Sequence, residues 1–307
     1  GKLVMWNSQE EVWSSYDHII LNSRYSKSWY LHYIEPNGGL KSWKKHGLIP
    51  VTQILYPPVS PVKAPRDINS LVKTLSLDKH SFGIAMLGRF FPGRASKGHF
   101  KALDLVDQIL RAVSPNQRNS LALYMVGNVP PQGAKYFADL STAIKERSLP
   151  IQLFPNASVD VVRAVLHQST LFWHLTGVDM VGYEDPASYE HFGIAIAEAM
   201  SARCLPVAMN RGGVVDIVNN RENGWLVNSA LDIARVTTQA MELSQNALSR
   251  MQDSAQVRVR RFHTAEFLRN MESLVRRSSK SSNLRRFVKK NRKQITQANI
   301  HVLPPMA

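Results

Sequence analysis

Two glutamates that stand eight residues apart, Glu190 and Glu198, offer acceptors for the two ends of one polar ligand. A polar loop rich in Asp, Pro and Ser ends near Glu190, and a run of good helix formers carries Glu198. This pattern predicts a helix that begins at about His191 or Phe192. At a rise of about 1.5 Å per residue, Glu198 would lie roughly 12 Å along the helix axis from Glu190. The expected chemistry is hydrogen bonding by two carboxylates to an extended ligand.

The start of this helix also suits an anion. The backbone N–H groups of Gly193, Ile194 and Ala195 have no helical acceptor, and the helix dipole adds a partial positive charge. Gly193 has no Cβ, so a ligand can approach the backbone closely there. The span of about 12 Å is that from the sugar to the ribose of a nucleotide sugar, with the diphosphate between them. A nucleotide sugar is therefore the first ligand hypothesis.

The stretch from Glu190 to Glu198 resembles the E-x(7)-E signature of the family 4 retaining glycosyltransferases, which have the GT-B fold of two Rossmann-like domains. The spacing alone also occurs on charged surface helices, but the surrounding Glu-His-Phe-Gly-Ile and Glu-Ala-Met segments and Gly212-Gly213 make the match more specific. The resemblance covers about residues 10–277. It implies that Glu190 binds hydroxyls of the donor sugar and that Glu198 accepts hydrogen bonds from both ribose hydroxyls.

A glycine-containing loop that follows a predicted strand places Arg89 and Lys97 at its two ends. Such a pair suits a diphosphate, because a guanidinium binds two oxygens and an ammonium acts as a point charge. The loop resembles the Gly-Arg-Phe and Lys-Gly-His elements of family 4, where the matching Arg and Lys hold the donor phosphates and stabilise the leaving group. Solvated loop cations are the alternative, and Arg94, which has no counterpart, stays unassigned.

Two further loops follow predicted strands and are placed to hold a nucleobase, as similar loops do in the family. They are Gly127-Asn128 and Phe154-Pro155-Asn156-Ala157, for which ordinary turns are the alternative. The predicted catalytic residues are thus Glu190, Arg89 and Lys97, and the predicted donor-binding residues are Gly88, Gly127, Asn128, Phe154, Pro155, Gly193, Ile194, Ala195 and Glu198.

No cluster of His, Cys or Asp has metal-ligand spacing, and no Asp-x-Asp pair is present to hold a cation on a diphosphate. We therefore predict no metal and no cofactor, with the nucleotide sugar as co-substrate and the two loop cations and the helix start in place of a metal. His174, His99 and His191 are interpreted as structural hydrogen-bonding groups. The single cysteine, Cys204, is interpreted as a buried small side chain in a reducing compartment.

The turn Arg211–Asp216 resembles the Gly-Gly-Pro-x-Glu turn that precedes a helix in the family. Val214 stands where the family has proline, and Asp216 where it has glutamate. Backbone contacts from this turn are the expectation, while a side-chain role for Asp216 stays open.

The elements that must position these residues alternate regularly from Phe82 onward. Short apolar runs between helical periods predict a Rossmann-like α/β fold, a parallel sheet with helices on both faces, and its ligand beyond the carboxyl ends of the strands. The predicted strands are Phe82–Leu87, Leu121–Val126, Ile151–Phe154, Thr170–His174, Leu205–Met209 and Trp225–Val227, and the predicted helices include Gly98–Val113, Gln132–Ser148, Ser158–His167 and Gly213–Asn219.

The first 62 residues do not have the pattern of a complete domain. A helix around Glu10–Tyr16 and strands at His18–Leu21 and Val51–Leu55 resemble the last units of a GT-B N-terminal domain and its linker. Gly1 is neither an initiating methionine nor the start of a signal peptide, which indicates a fragment or a processed chain. We therefore expect three parts: residues 1–62, a remnant of the acceptor domain with its linker; 63–277, the donor-binding domain; and 278–307, a basic flexible tail.

The formal net charge of +15 is unevenly distributed, because nine Lys and Arg residues lie between Arg276 and Lys293 and no acidic residue follows Glu272. A solvated tail is one interpretation. Contact with an anionic membrane surface is a second, and it fits an enzyme with a lipid-linked acceptor. Nucleic-acid binding is the least favoured, because Phe287 is the only aromatic residue in this stretch.

The sequence as a whole is that of a globular protein, with 44% hydrophobic residues and no apolar run of bilayer-spanning length. The resemblance implies a retaining transfer of a sugar, similar to members that transfer mannose, from a GDP- or UDP-sugar to a glycan or lipid-linked hydroxyl. The implied location is the cytoplasm, including the cytoplasmic face of a membrane. The alternatives are a catalytically incomplete nucleotide-sugar-binding module and a basic nucleic-acid binder.

Overall fold

A six-stranded parallel sheet forms the centre of the computed structural model, which describes residues 18–34, 51–93, 97–178 and 189–277. Two strands nearer the N-terminus, β1 (His18–Leu21) and β2 (Val51–Ile54), form a separate pair. The strands of the six-stranded sheet are β3 (Phe82–Leu87), β4 (Leu121–Gly127), β5 (Ile151–Pro155), β6 (Leu171–His174), β7 (Leu205–Met209) and β8 (Trp225–Val227). Their spatial order is β5-β4-β3-β6-β7-β8.

Helices cover both faces of this sheet, which is why its strands are nearly continuous apolar runs. Strands β4 and β7 bury almost every residue. The helices are α1 (Arg24–Ile34), α2 (Ile68–Thr74), α3 (His99–Ala112), α4 (Pro115–Ser120), α5 (Ala134–Glu146), α6 (Val159–Gln168), α7 (Ile194–Ser201), α8 (Ala230–Glu242), α9 (Gln245–Val259) and α10 (Thr264–Arg277). The predicted Rossmann-like α/β class is confirmed, and none of these described helices is long and apolar enough to cross a membrane.

Helix α7 begins two or three residues later than predicted. Gly193 precedes it with φ 105°, in the left-handed region, so the helical conformation cannot extend back to His191 or Phe192. The predicted helix at Gly213–Asn219 is a short 3₁₀ helix, Gly212–Asp216. A glycine with a left-handed backbone lies at each of these starts: Gly193 just before α7, and Gly212, with φ 70°, at the first residue of the 3₁₀ helix.

Two short helices were not predicted from the sequence. Helix α2 has apolar residues at helical spacing, Ile68, Leu71 and Val72, but its seven residues are too few for the period to stand out. Helix α4 is held by a capping box in which Ser114 and Gln117 exchange hydrogen bonds, followed by Pro115 at the first helical position. Its start signal is local, but a six-residue helix offers no hydrophobic face.

The N-terminal unit is a parallel pair of strands with one helix. His18 pairs with Val51 and Leu21 with Ile54, while the expected helix at Glu10–Tyr16 lies outside the described residues. The linker then contacts the C-terminal part of the sheet domain, where the N–H of Val59 donates to the carbonyl of Phe262 at 2.8 Å.

Candidate active site

The site lies where the order of the strands reverses. The chain builds β3, β4 and β5 outward on one side, then returns to place β6 on the other side of β3. In open parallel sheets, this switch leaves a crevice beyond the carboxyl ends of the two central strands. The loop that carries Arg89 and Lys97 follows β3, and the segment that carries Thr176 follows β6.

Lys97 reaches the crevice across a glycine. A Cβ at Gly88 would lie 2.4 Å from Cγ of Lys97, so the lysine stem packs directly on the Gly88 backbone. The ammonium Nζ donates to Oγ1 of Thr176 at 3.2 Å and to Oε2 of Glu190 at 3.4 Å. Two of the three residues that the sequence predicts as catalytic, Lys97 and Glu190, are therefore in contact.

Glu190 receives a second hydrogen bond from His174. The distance between Nε2 of His174 and Oε2 of Glu190 is 3.1 Å, and His174 is 5% exposed. Burial disfavours the charge on Glu190, but the hydrogen bond and charge of His174 and the charge of Lys97 outweigh it and hold the pKa of this carboxyl far below its usual range. Glu190 is thus an ionised acceptor at neutral pH.

The Gly212-Gly213 turn supports the main chain of Glu190. The N–H of Gly213 donates to the carbonyl of Glu190 at 2.7 Å. A Cβ at Gly213 would lie 1.9 Å from the carbonyl oxygen of His191, and one at Gly212 would lie 2.3 Å from that of Glu190. Both glycines are therefore needed for the close approach of two backbones.

The start of α7 presents donors toward the same region. The carbonyl of Gly193 accepts the N–H groups of Ile196 at 3.0 Å and Ala197 at 3.3 Å, so the N–H groups of Ile194 and Ala195 precede the helical hydrogen-bond ladder. Ile194 is exposed. Donors of this kind favour a phosphate.

Glu198 lies within α7 and is partly buried. Among the described residues, none is hydrogen-bonded to its carboxylate. Burial raises its pKa from 4.5 to about 7. The two glutamates of the motif therefore differ in protonation. Glu190 is kept ionised by His174 and Lys97, whereas Glu198, with a pKa of about 7, binds and releases a proton near neutral pH.

The remaining predicted positions form the wall on the β4 side. A Cβ at Gly127 would lie 1.8 Å from the carbonyl oxygen of Gly88, so the main chains after β3 and β4 pack directly against each other at these two glycines. The carbonyl of Asn128 accepts the N–H of Phe90 at 2.9 Å. Arg89 is exposed, and within the described part of the chain its guanidinium makes no ion pair.

Phe154 and Pro155, predicted to contact the base, have different environments. Phe154 is buried with its ring centroid 6.3 Å from that of Tyr124, whereas Pro155 is exposed. The following Asn156 adopts φ 51°, and its Oδ1 accepts the N–H of Val129 at 2.9 Å. This bond joins the loops after β4 and β5 and gives Asn156 a structural role.

Two contacts of the site were missed from the sequence. The sequence predicts a structural role for His174 without indicating its hydrogen bond to Glu190, and it predicts no role for Thr176. His174 ends a predicted strand and Thr176 follows it, and ligands bind beyond the carboxyl ends of such strands. This position in the chain is the feature of the sequence that indicates a role in the site.

The described residues contain no group of three or more His, Cys, Asp and Glu side chains that could hold a metal ion. Cys204 is buried and free, and burial raises the pKa of its thiol, as expected for a packing residue. Arg94, outside the described residues, stays unassigned.

Known proteins with similar sequences and structures point to one family. The model of the Glycosyl transferases group 1 family matches residues 67–258, more than half of the chain. A Xenopus laevis protein named GDP-Man:Man(3)GlcNAc(2)-PP-Dol alpha-1,2-mannosyltransferase is 24% identical over 228 residues, 71% of this chain and 42% of that protein. The Mus musculus protein of the same name is 25% identical over 275 residues, 86% of this chain and 50% of that protein. The chain thus spans about half the length of the curated relatives it matches.

Solved structures share the fold. A glycosyltransferase from Rickettsia africae superposes with a TM-score of 0.70 at 18% identity, covering 90% of this chain and 68% of that one. Anabaena Alr3699/HepE, solved with UDP and glucose, superposes with a TM-score of 0.61 at 18% identity, covering 84% and 63%. These superpositions confirm the predicted fold class, the Rossmann-like α/β fold of the GT-B type. The chain belongs to the Glycosyl transferases group 1 family.

Proposed function

We propose that this chain supplies the donor site of a retaining glycosyltransferase that uses a nucleotide-diphosphate sugar. The observation that carries the proposal is the contact of Lys97 and His174 with an ionised Glu190 at the switch point of the sheet. A cation and a carboxylate, held together beside the free N–H groups of a helix start, match a diphosphate joined to a sugar.

GDP-mannose is the proposed donor and a lipid-linked glycan the proposed acceptor. The support comes from the curated relatives, whose names specify GDP-mannose and a dolichol-linked glycan. The first 62 residues would be part of an acceptor-binding domain, and the basic tail, which lies outside the described residues, would contact an anionic membrane surface.

Each site residue has a defined part in this proposal. Lys97, Arg89 and the N–H groups of α7 would neutralise the charge that develops on the diphosphate as its bond to the sugar breaks. Glu190 would accept hydrogen bonds from sugar hydroxyls, and Glu198 from the ribose. The acceptor hydroxyl would attack on the face from which the diphosphate leaves, and its proton would pass to the diphosphate oxygen, so that the configuration is retained. No divalent metal would be required.

Calorimetric titration with a panel of nucleotide sugars tests this function. We expect GDP-mannose to bind more tightly than UDP-glucose, UDP-N-acetylglucosamine and GDP alone, because base and sugar contacts add to the diphosphate contact. The affinity should be the same in EDTA as in magnesium. Equal binding of all the compounds would refute a specific donor site, and binding that needs magnesium would refute metal independence. Binding without any transfer to a lipid-linked glycan would favour the binding-module alternative.

A further inference from the structure

The loop that carries Glu190 is contacted by the N-terminal unit as well as by its own domain. The ring of Tyr25, in the first turn of α1, lies edge-on to Tyr189 with 6.2 Å between ring centroids and to His191 with 6.0 Å. These two residues flank Glu190 on either side. Helix α1 therefore rests against the loop beside the predicted sugar site.

A second connection runs through the 3₁₀ helix Gly212–Asp216. At one end, the N–H of Gly213 donates to the carbonyl of Glu190. At the other end, Asp216 accepts the backbone N–H of Arg24 at 2.7 Å and also pairs with the Arg24 guanidinium. Arg24 is the first residue of α1, so Asp216 caps this helix from another part of the chain.

The connection is held firmly at Asp216. Its side chain is fully buried, while that of Arg24 is 64% exposed. The guanidinium of Arg258 also donates to the main-chain carbonyls of Asp216 at 2.8 Å and Ile217 at 3.0 Å. A buried carboxylate without its partner is strongly disfavoured, so the 3₁₀ helix and α1 are expected to stay together.

We propose that Arg24 and Asp216 are positioning residues that set Glu190 in the donor site only while α1 is docked. Moving α1 would shift Asp216, the 3₁₀ helix would move with it, and the Gly213 hydrogen bond would carry the change to Glu190. The position of the N-terminal unit would thereby control the position of Glu190 in the donor site. The inference rests on the proposed function for the role of Glu190 but not for the mechanical connection itself.

Hydrogen exchange on the unliganded chain tests the connection. In Arg24→Met, peptides that cover residues 189–193 and 212–216 should exchange about tenfold faster or more, because their support is lost. Arg24→Lys, which keeps a cation, should restore part of the protection. Arg147→Met is the matched control, since Arg147 pairs with Asp104 and Asp107 in another part of the domain. Unchanged exchange at 189–193, or an equal rise over the whole chain, would overturn the proposal.

The affinity for the donor distinguishes a role through Glu190 from a role in stability alone. Arg24→Met should weaken GDP-mannose binding in the wild-type background but have little further effect in Glu190→Gln, because both act through one group. Additive effects would show that Arg24 does not work through Glu190. Should the wild-type chain bind no nucleotide sugar, the proposed function fails, while the exchange experiment still decides whether the connection exists.

Discussion

Replacing Lys97 with methionine is expected to weaken GDP-mannose binding about 10- to 100-fold, because a hydrogen bond to a charged group contributes about 1.5–3 kcal/mol. Methionine keeps the apolar stem that packs on Gly88 and removes only the ammonium. Glu190 would keep its hydrogen bond from His174, so the loop should stay in place. Isothermal titration calorimetry measures the change.

The matched control for this experiment is Lys135→Met. Lys135 also pairs with a carboxylate, that of Asp139 at 3.0 Å, but on the exposed surface of α5. An exposed ion pair of this kind contributes little, so both stability and affinity should stay close to wild type. If Lys97→Met bound GDP-mannose as tightly as Lys135→Met, the assignment of Lys97 to the diphosphate would be wrong.

Binding of GDP-mannose is expected to strengthen as the pH rises through about 7, because of Glu198. Burial raises the pKa of Glu198 to about 7, so the free chain carries a proton there below that pH. Hydrogen bonds from ribose hydroxyls favour the charged carboxylate, so binding would release this proton. The dissociation constant should therefore rise by up to about tenfold per pH unit below 7 and level off above it. In Glu198→Gln, this slope should disappear.

Stability should change with pH in the opposite direction. Since the folded pKa of Glu198 lies above its ordinary value of 4.5, the group contributes stability that is present below 4.5 and lost as the pH rises through about 7. Glu198→Gln should gain stability relative to wild type between pH 5 and pH 8, by about 3 kcal/mol at most in urea denaturation. Glu146→Gln, exposed at the end of α5, is the control. A pH slope of affinity that survives in Glu198→Gln would contradict this role.

The sheet can be predicted from the sequence because β3, β4 and β7 are short apolar runs, which are typical of strands buried on both faces. The site roles of Lys97 and Glu190 can also be predicted, since each residue belongs to a motif of consecutive residues. Their mutual contact was not predicted, because it depends on β6 lying beside β3 rather than beside β5. Strand order depends on the whole fold and cannot be predicted from the sequences of the loops.

The contact of Arg24 with Asp216 illustrates the same limit at a greater distance. The two residues are 192 positions apart, and neither belongs to a pattern that names its partner. In the sequence, Asp216 differs from the family turn only by replacing its glutamate. Its burial, and hence its need for a cation, depends on the packing of α1 against the 3₁₀ helix.

A crystal structure of the chain with GDP-mannose tests the central claim most directly. The account predicts the diphosphate within hydrogen-bonding distance of Nζ of Lys97 and of the N–H groups that open α7. Glu190 should then contact the mannose, and Glu198 the ribose. A nucleotide bound elsewhere, or a diphosphate in this crevice with Glu190 and Glu198 both turned to solvent, would contradict it.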